Sequence, residues 1–290
     1  MFVVMASLVK YLSDDIPPGQ IVFFRSVFAL PVILVWLAQR HELRTGFRTQ
    51  KPLGHLWRGV LGTSAMGMGF ASLGYLPLPE VTAIGYAAPL LVVVFASMFL
   101  GEQVRLFRLT AVGIGMIGVL IVLAPNLSVG QQLSHAQALG AMLALLGAVM
   151  AALAQVTVRK LVASETTSAI VFWFSITAAG LSLITVPWGW ALPTGWQAVV
   201  LILTGLLGGV GQILLTSSYR EADASLIAPF DYASILLAMA IGYWGFGDAP
   251  SQTMLLGALI VVAAGILIIW RERQLGLERT RQRKVMTPQG

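Results

Sequence analysis

The sequence predicts an all-α integral membrane protein whose ten transmembrane helices form two inverted five-helix repeats. Three observations support this fold class: the composition, the distribution of charge among the loops, and an internal repeat. Hydrophobic residues make up 57% of the 290 residues and charged residues 10%, with a mean hydropathy of +0.84. This composition leaves too little polar surface to cover a soluble domain of this size.

The helices are predicted from runs of apolar residues, since about 20 such residues are needed to cross the hydrocarbon core of a bilayer. Nine runs are close to this length or longer: residues 20–38, 56–75, 80–99, 106–123, 136–158, 167–187, 195–219, 224–246 and 251–269. With residues 1–12 as the first, these runs are helices 1 to 10 in chain order. Seven tryptophans near the ends of runs agree with these limits, because the indole ring prefers the headgroup level: Trp36, Trp57, Trp188, Trp190, Trp196, Trp244 and Trp270.

Helix 1, residues 1–12, is shorter than the others. Its residues cover about 18 Å of a hydrocarbon core that is about 30 Å thick. Either this helix is unusually short or it begins upstream of residue 1. It lacks the basic start and the small-residue cleavage site of a signal peptide.

Basic residues alternate from loop to loop. Five connections contain no Lys or Arg: residues 13–19, 76–80, 125–135, 187–195 and 247–251. Sixteen of the eighteen basic residues lie between and beyond them, in residues 39–58, 101–108, 159–166, 220–223 and the tail after residue 270. Basic residues accumulate on the cytoplasmic side of bacterial membranes, because moving them across is costly. We therefore expect a bacterial inner-membrane protein with both termini in the cytoplasm.

The composition also excludes several classes of function. The net charge of +6 lies in the loops and tail that we assign to the cytoplasm, where anionic lipid explains it better than nucleic acid does. The chain has no Cys, its three His residues lack metal-ligand spacing, and no Walker-type phosphate loop is present. We expect no enzyme, cofactor or metal site. The expected partners are the lipid bilayer and a small-molecule substrate, with a monomer as the working assumption.

An internal match predicts the repeat. Residues 21–26 resemble residues 170–175 at an offset of 149. Three further correspondences keep nearly the same spacing: Tyr75 with Tyr219, Tyr86 with Tyr232, and Gly101-Glu102 with Gly247-Asp248. The expected units are residues 1–124, residues 136–270 and a basic cytoplasmic tail, residues 271–290. Because each repeat has five crossings, the second must enter from the opposite side, which is typical of secondary transporters.

Two stretches also resemble a known family. One runs from Ile84-Gly85-Tyr86-Ala87-Ala88-Pro89 to Gly101-Glu102, and the other runs from Ala228-Pro229-Phe230-Asp231-Tyr232-Ala233 to Gly247-Asp248. With Trp270-Arg271-Glu272 they resemble the drug/metabolite transporter superfamily, in its ten-helix branch with two EamA-type domains, over residues 1–272. The resemblance implies a central cavity lined mainly by helices 3, 4, 8 and 9, with helices 5 and 10 at the periphery. Such proteins move amino acids, nucleotide-like metabolites, vitamins or cations.

Charged residues inside apolar helices are candidates for substrate binding or coupling. Asp231 lies seven residues into helix 9, and a carboxylate at membrane depth costs about 2.5–3.5 kcal/mol. It binds a substrate ammonium group, takes up a proton, or forms a hydrogen bond to a neighbouring helix. Arg25 in helix 2 either holds a carboxylate or phosphate or reaches the headgroups. Lys10 is expected to anchor helix 1 at the headgroups.

Two prolines and three uncharged polar residues complete the candidate site. Pro89 and Pro229 remove a hydrogen bond inside helices 4 and 9, so they are candidate hinge or cavity positions. Tyr86 shares a helix face with Pro89, and Gln212 lies on a polar face of helix 8. Tyr232 of helix 9 is the third candidate for substrate contact.

These features predict a secondary transporter that moves a small organic metabolite by alternating access. The first expectation is export of an amino acid, aromatic amino acids included. The alternative is uptake of S-adenosylmethionine, riboflavin or a similar heteroaromatic metabolite. A non-transporting membrane receptor or scaffold is the alternative from another class.

Overall fold

The computed structural model describes residues 1–43, 45–100, 106–127, 135–221 and 234–286, and the regular secondary structure of these residues is helical throughout. The first helices are α1 (Phe2–Leu12), α2 (Pro18–Gln39), α3 (Pro52–Leu73), α4 (Leu78–Leu100) and α5 (Leu106–Leu127). They are followed by α6 (His135–Val162), α7 (Thr167–Ser182), α8 (Gly195–Glu221), α9 (Ser234–Phe246) and α10 (Gln252–Met286). A 3-10 turn, Leu183–Trp188, extends α7.

Six of these helices are long and apolar enough to cross a membrane: α2, α4, α5, α6, α7 with its 3-10 turn, and α8. The outer surface is apolar as well, since Leu120 on α5 and Leu236 on α9 are 56% and 70% exposed. Large contiguous apolar surface is rare on soluble monomers, whereas lipid tails solvate it. The chain is therefore an all-helical, multi-pass membrane protein.

Small residues allow the helices to approach closely. On α5, a Cβ added to Gly118 would lie 2.8 Å from the carbonyl oxygen of Gly257 on α10. A Cβ on Gly257 would lie 2.6 Å from the Gly118 carbonyl in turn. Such contacts replace the hydrophobic driving force that is absent in lipid. α2 packs against α7 and α8, and α3 packs against α6 and α7.

Helix α4 is broken near its middle. Its first segment ends at Gly85, Tyr86 forms a turn, and a second segment runs over Ala87–Leu100. Pro89 lies just beyond the break and cannot donate a hydrogen bond to the carbonyl of Gly85, four residues earlier. The sequence predicts a hinge at Pro89 within one continuous helix; the structure has the interruption three residues before the proline.

Hydrogen bonds connect loops that lack basic residues to one another, and loops rich in basic residues to one another. At loops without basic residues, the Gln20 side chain exchanges two bonds of 2.7 and 3.0 Å with the backbone of Ala191. At loops rich in basic residues, Glu165 accepts from the backbone N–H groups of Gln50 and Lys51 at 2.8 and 2.9 Å. Each of these contacts is consistent with the two sides that the charge alternation predicts.

Lys10 differs from its predicted role as a headgroup anchor. Its Nζ donates to the carbonyl oxygens of Leu73 at 2.7 Å and Leu76 at 3.1 Å. The last carbonyls of a helix have no partner within that helix, and they form the negative end of its dipole. Lys10 therefore fastens α1 to the end of α3.

Candidate functional site

The described helices line a cavity of about 370 Å³. Its wall comes from α1, α2, α3, α4, α6, α7 and α8, so both predicted repeats contribute. The wall is mainly apolar, and its polar members are Arg25, Arg58, Thr82, Gln155, Gln212 and Thr216. Of the helices predicted to line the cavity, α3, α4 and α8 contribute to the described lining, and the described part of α9 does not. The described lining also includes residues of α1, α2, α6 and α7, and none of α5 or α10.

Arg25 is the most deeply buried charged group on this wall, with 2% of its surface exposed. Its Nη2 donates to the carbonyl of Gly208 on α8 at 3.3 Å. Nε and Nη1 are buried and have no hydrogen-bond partner among the described residues. Buried donors without partners are costly, so these two atoms leave room for an acceptor that enters the cavity.

Arg58 approaches the same point from α3. Its Cζ lies 3.9 Å from the ring centre of Phe174 on α7, and Cζ of Arg25 lies 5.4 Å from the same centre. Both distances are within the range of cation–π attraction. One buried ring thus holds two guanidinium groups that come from different helices.

Glycines provide the space for both guanidiniums. A Cβ on Gly208 would lie 2.7 Å from Nε of Arg25. A Cβ on Gly62, one turn after Arg58 on α3, would overlap Nη1 of Arg58 and lie 2.8 Å from the Phe174 ring. Real Cβ atoms essentially never come this close to another heavy atom, so both glycines are required for the observed positions of the arginines.

Gln212 is 7% exposed and lines the cavity one turn from Thr216, to whose Oγ1 its Nε2 donates at 3.5 Å. Tyr86 lies elsewhere: it is buried at the break of α4, and its hydroxyl shares a hydrogen bond with Oγ of Ser234 on α9. Pro89 is half-buried in the second segment of α4 and is not a lining residue.

The remaining candidates, Asp231, Tyr232 and Pro229, lie outside the described residues, in the segment 222–233. The structure therefore brings Arg25 and Gln212 together on one wall and leaves these three predictions untested. Arg58 and Phe174 were missed as site residues. For Phe174, the internal repeat was the available signal in the sequence, because Phe174 occupies the position equivalent to Arg25.

A second polar cluster lies at the loops rich in basic residues. Oε1 of Glu165 accepts from Thr49 Oγ1 at 3.2 Å in addition to the two backbone N–H groups, and Oε2 lies 3.4 Å from Nε2 of His55. Arg220 at the end of α8 donates to the Glu165 carbonyl at 3.0 Å. Burial raises the pKa of Glu165, but the hydrogen bonds from Gln50 and Thr49 and the contact with His55 outweigh it and hold the pKa below its usual value.

The fold and the cavity define a multi-pass membrane protein with a cavity between its helices and cationic groups on the cavity wall. Among the residues that the structure describes, no group of three His, Cys, Asp or Glu side chains could hold a metal ion. The chain belongs to the EamA-like transporter family, whose sequence pattern matches residues 1–124 and 138–270.

Similar proteins carry different cargoes. An S-adenosylmethionine uptake transporter of Rickettsia bellii is 26% identical over 267 residues, which cover 91% of this chain and 88% of that protein. The pseudopaline exporter CntI of Pseudomonas aeruginosa is 29% identical over 272 residues (92% and 91%). A riboflavin transporter of Rhizobium johnstonii is 31% identical over 253 residues (86% and 78%). These relatives support a small-molecule transporter rather than an enzyme.

The fold is also found in a solved protein structure. That structure superposes with a TM-score of 0.69 at 20% sequence identity, over 94% of this chain and 95% of the other. At this level of identity the likeness concerns the fold alone.

Proposed function

We propose that this protein is a secondary transporter that moves a small organic metabolite across the bacterial inner membrane by alternating access. The observation that supports this is a cavity of about 370 Å³ with the buried Arg25 on a wall built from both halves of the chain. Carriers place their substrate between two halves that open it to either side in turn. Without a phosphate loop in the sequence, transport runs on a gradient or a counter-ion.

The proposal includes ten crossings arranged as two inverted repeats, residues 1–124 and 136–270, with both termini cytoplasmic. Arg25 and Phe174 are equivalent positions of the internal match. In an assembly with a two-fold axis, a residue touches its own equivalent only close to that axis. The contact of 5.4 Å between Cζ of Arg25 and the ring of Phe174 therefore supports an axis that passes through the cavity.

Helix packing supports the same axis. α2 packs against its equivalent α7, and α5 packs against its equivalent α10. α2 also packs on α8, and the equivalent pair, α7 with α3, is in contact as well. Two copies of one unit that are related by a two-fold axis would repeat their helix pairings in this way.

Amino acid export, aromatic amino acids included, is the first substrate assignment. An amino acid offers a carboxylate to Arg25 and an apolar side chain to the rest of the wall. Asp231 is the proposed partner of the ammonium group or of a proton, with Tyr86, Gln212 and Tyr232 as further substrate contacts. Pro89 and Pro229 are the proposed hinges.

Uptake of S-adenosylmethionine, riboflavin or a similar heteroaromatic metabolite is the second candidate. It is favoured by the names of the Rickettsia and Rhizobium relatives. A receptor or scaffold that binds a metabolite without moving it is the candidate from another class.

Purified protein in liposomes separates these candidates. Labelled phenylalanine, tryptophan, S-adenosylmethionine and riboflavin are offered in turn, and counterflow is measured. We expect counterflow of at least one amino acid, and its loss in Arg25→Ala and Asp231→Asn protein that still inserts into the membrane. Counterflow of riboflavin or S-adenosylmethionine alone supports the second candidate, whereas saturable binding without flux of any compound supports a receptor.

A further inference from the structure

The described part of the cavity wall is positively charged. Among its described lining residues, Arg25 and Arg58 are cationic and no residue is acidic. Asp231 lies outside the described residues, and a single added carboxylate would still leave two arginines with a net positive charge. A site of this kind disfavours cargo with a net positive charge.

The guanidinium of Arg25 is prepared for an acceptor. It is 2% exposed, and its Nε and Nη1 have no partner among the described residues. A guanidinium presents its N–H groups in a planar fork that matches the two oxygens of a carboxylate or phosphate. An oxyanion at this point would accept from Nε or from Nη1, each of which forms one edge of the fork together with Nη2.

Phe174 and two glycines hold the pair of arginines in place. The ring attracts both guanidiniums, at 5.4 and 3.9 Å from its centre, although like charges repel one another. Gly62 and Gly208 leave room for Arg58 and Arg25. An anion between the two groups would lower the repulsion between them further.

The rest of the wall suits an organic body. Met66 and Phe70 of α3 and Leu215 of α8 are among its apolar members. The volume of about 370 Å³ lies in the lower part of the range for small-molecule sites, which is about 300–1,000 Å³. A hydrated inorganic ion would leave this apolar surface unpaired.

We infer that the cavity binds its cargo as an organic oxyanion, with a carboxylate or phosphate group held between Arg25 and Arg58 and an apolar body against the remaining wall. This inference rests on the proposed function, because it assigns the cavity as the transport site. Arg58, which comes from the edge of a basic loop in the sequence, becomes a specificity-determining residue alongside Arg25.

The test compares probes of one shape and different charge. Thermal unfolding of the full chain in detergent is followed with phenylpyruvate, phenyl phosphate, phenylalanine and phenethylamine. We expect the compounds with an oxyanion to raise the midpoint and phenethylamine, a cation, to leave it unchanged. The stronger of phenylpyruvate and phenyl phosphate identifies the head group as carboxylate or phosphate. Equal stabilisation by phenethylamine, or none by any oxyanion, overturns the inference.

Variants show where the oxyanion binds. Arg25→Gln and Arg58→Gln should each weaken binding of the oxyanion probe about tenfold or more, since a hydrogen bond to a charged group is lost. Arg25→Lys should recover part of the affinity, because it restores the charge without the fork. Phe174→Leu, which keeps both charges, should weaken binding less than either glutamine variant. Unchanged affinity in both glutamine variants contradicts the assignment.

Counterflow measured in liposomes distinguishes a failure of this inference from a failure of the proposed function. Counterflow of phenethylamine at the rate of phenylalanine would leave a transporter without the oxyanion site. Oxyanion binding that depends on Arg25, with no counterflow of any probe, would leave the oxyanion site in a protein that does not transport these compounds.

Discussion

At the residue scale, Gly208 controls where the Arg25 guanidinium lies. Any side chain on Gly208 would come within 2.7 Å of Nε of Arg25. Gly208→Ala should therefore displace the guanidinium and reduce counterflow about tenfold, a loss similar to that of one charge-assisted hydrogen bond. The measurement is counterflow of the best amino acid in liposomes, normalised to inserted protein.

Gly180→Ala is the matched control for this variant. Gly180 lies inside α7, and nothing lies within 4 Å of a Cβ added there. Alanine is the better helix former, so this change should preserve or raise stability and leave counterflow intact. Equal losses in both variants would mean that Arg25 is not the reason for the effect.

The predicted site residues that the structure brings together share a simple property. Arg25 and Gln212 are polar residues well inside apolar runs, where burying a polar side chain costs free energy and therefore indicates a functional role. Arg58 escaped prediction because the apolar run begins at residue 56, so the arginine counted as part of a basic loop. Its depth depends on α3 starting earlier, at Pro52, and on a contact with Phe174 across 116 positions of the chain, which hydropathy cannot reveal.

At the element scale, the break in α4 depends on Pro89. Pro89→Ala would restore the missing hydrogen bond and favour a continuous helix, since a proline in a helix interior costs about 3 kcal/mol. We expect a higher unfolding midpoint and slower counterflow, because a straightened α4 resists the change of shape between the two open states. Both quantities are measured on the same preparation.

Pro31 is the control for that change. It lies inside α2, which the structure shows as uninterrupted from Pro18 to Gln39, and its side chain is exposed. Pro31→Ala should therefore change counterflow much less than Pro89→Ala does. If the two alanine variants slow transport equally, the break in α4 has no special role.

The loop cluster around Glu165 is also an element-scale feature. It ties residues 49–51, just before α3, to the residues just before α7. The negative charge lies before the N-termini of α3 and α7, where helix dipoles favour it. Hydropathy places the ends of these helices only approximately, because loop hydrogen bonds of this kind decide where a helix begins.

Glu165→Gln tests this cluster through pH. The pKa of Glu165 in the folded protein is below its usual value, so its contribution to stability is complete above about pH 4.3 and is lost as the pH falls through the lowered pKa. The variant should lose about 1.5–3 kcal/mol at neutral pH and show a weaker decline in acid. Thermal unfolding between pH 7 and pH 3 measures both, and Glu221→Gln at the exposed end of α8 should behave like the parent.

At the scale of the whole molecule, the main prediction concerns which side of the membrane each loop occupies. Composition and charge alternation are sufficient to predict an all-helical membrane protein, because both depend on sums over many residues. The proposed inverted arrangement is a relation between distant segments, and the contact of Arg25 with its equivalent Phe174 is consistent with it. The orientation in the bilayer depends on the insertion process rather than on internal contacts.

The absence of Cys from the sequence makes this orientation directly measurable. Leu192, in a loop without basic residues, is 98% exposed, and Thr45 lies exposed in a basic loop. A membrane-impermeant maleimide should label Leu192→Cys in intact spheroplasts and label Thr45→Cys only after permeabilisation, with the parent chain unlabelled throughout. The reverse pattern would place both termini outside and invert the proposed topology, and labelling of both variants in intact spheroplasts would contradict the alternation of the loops itself.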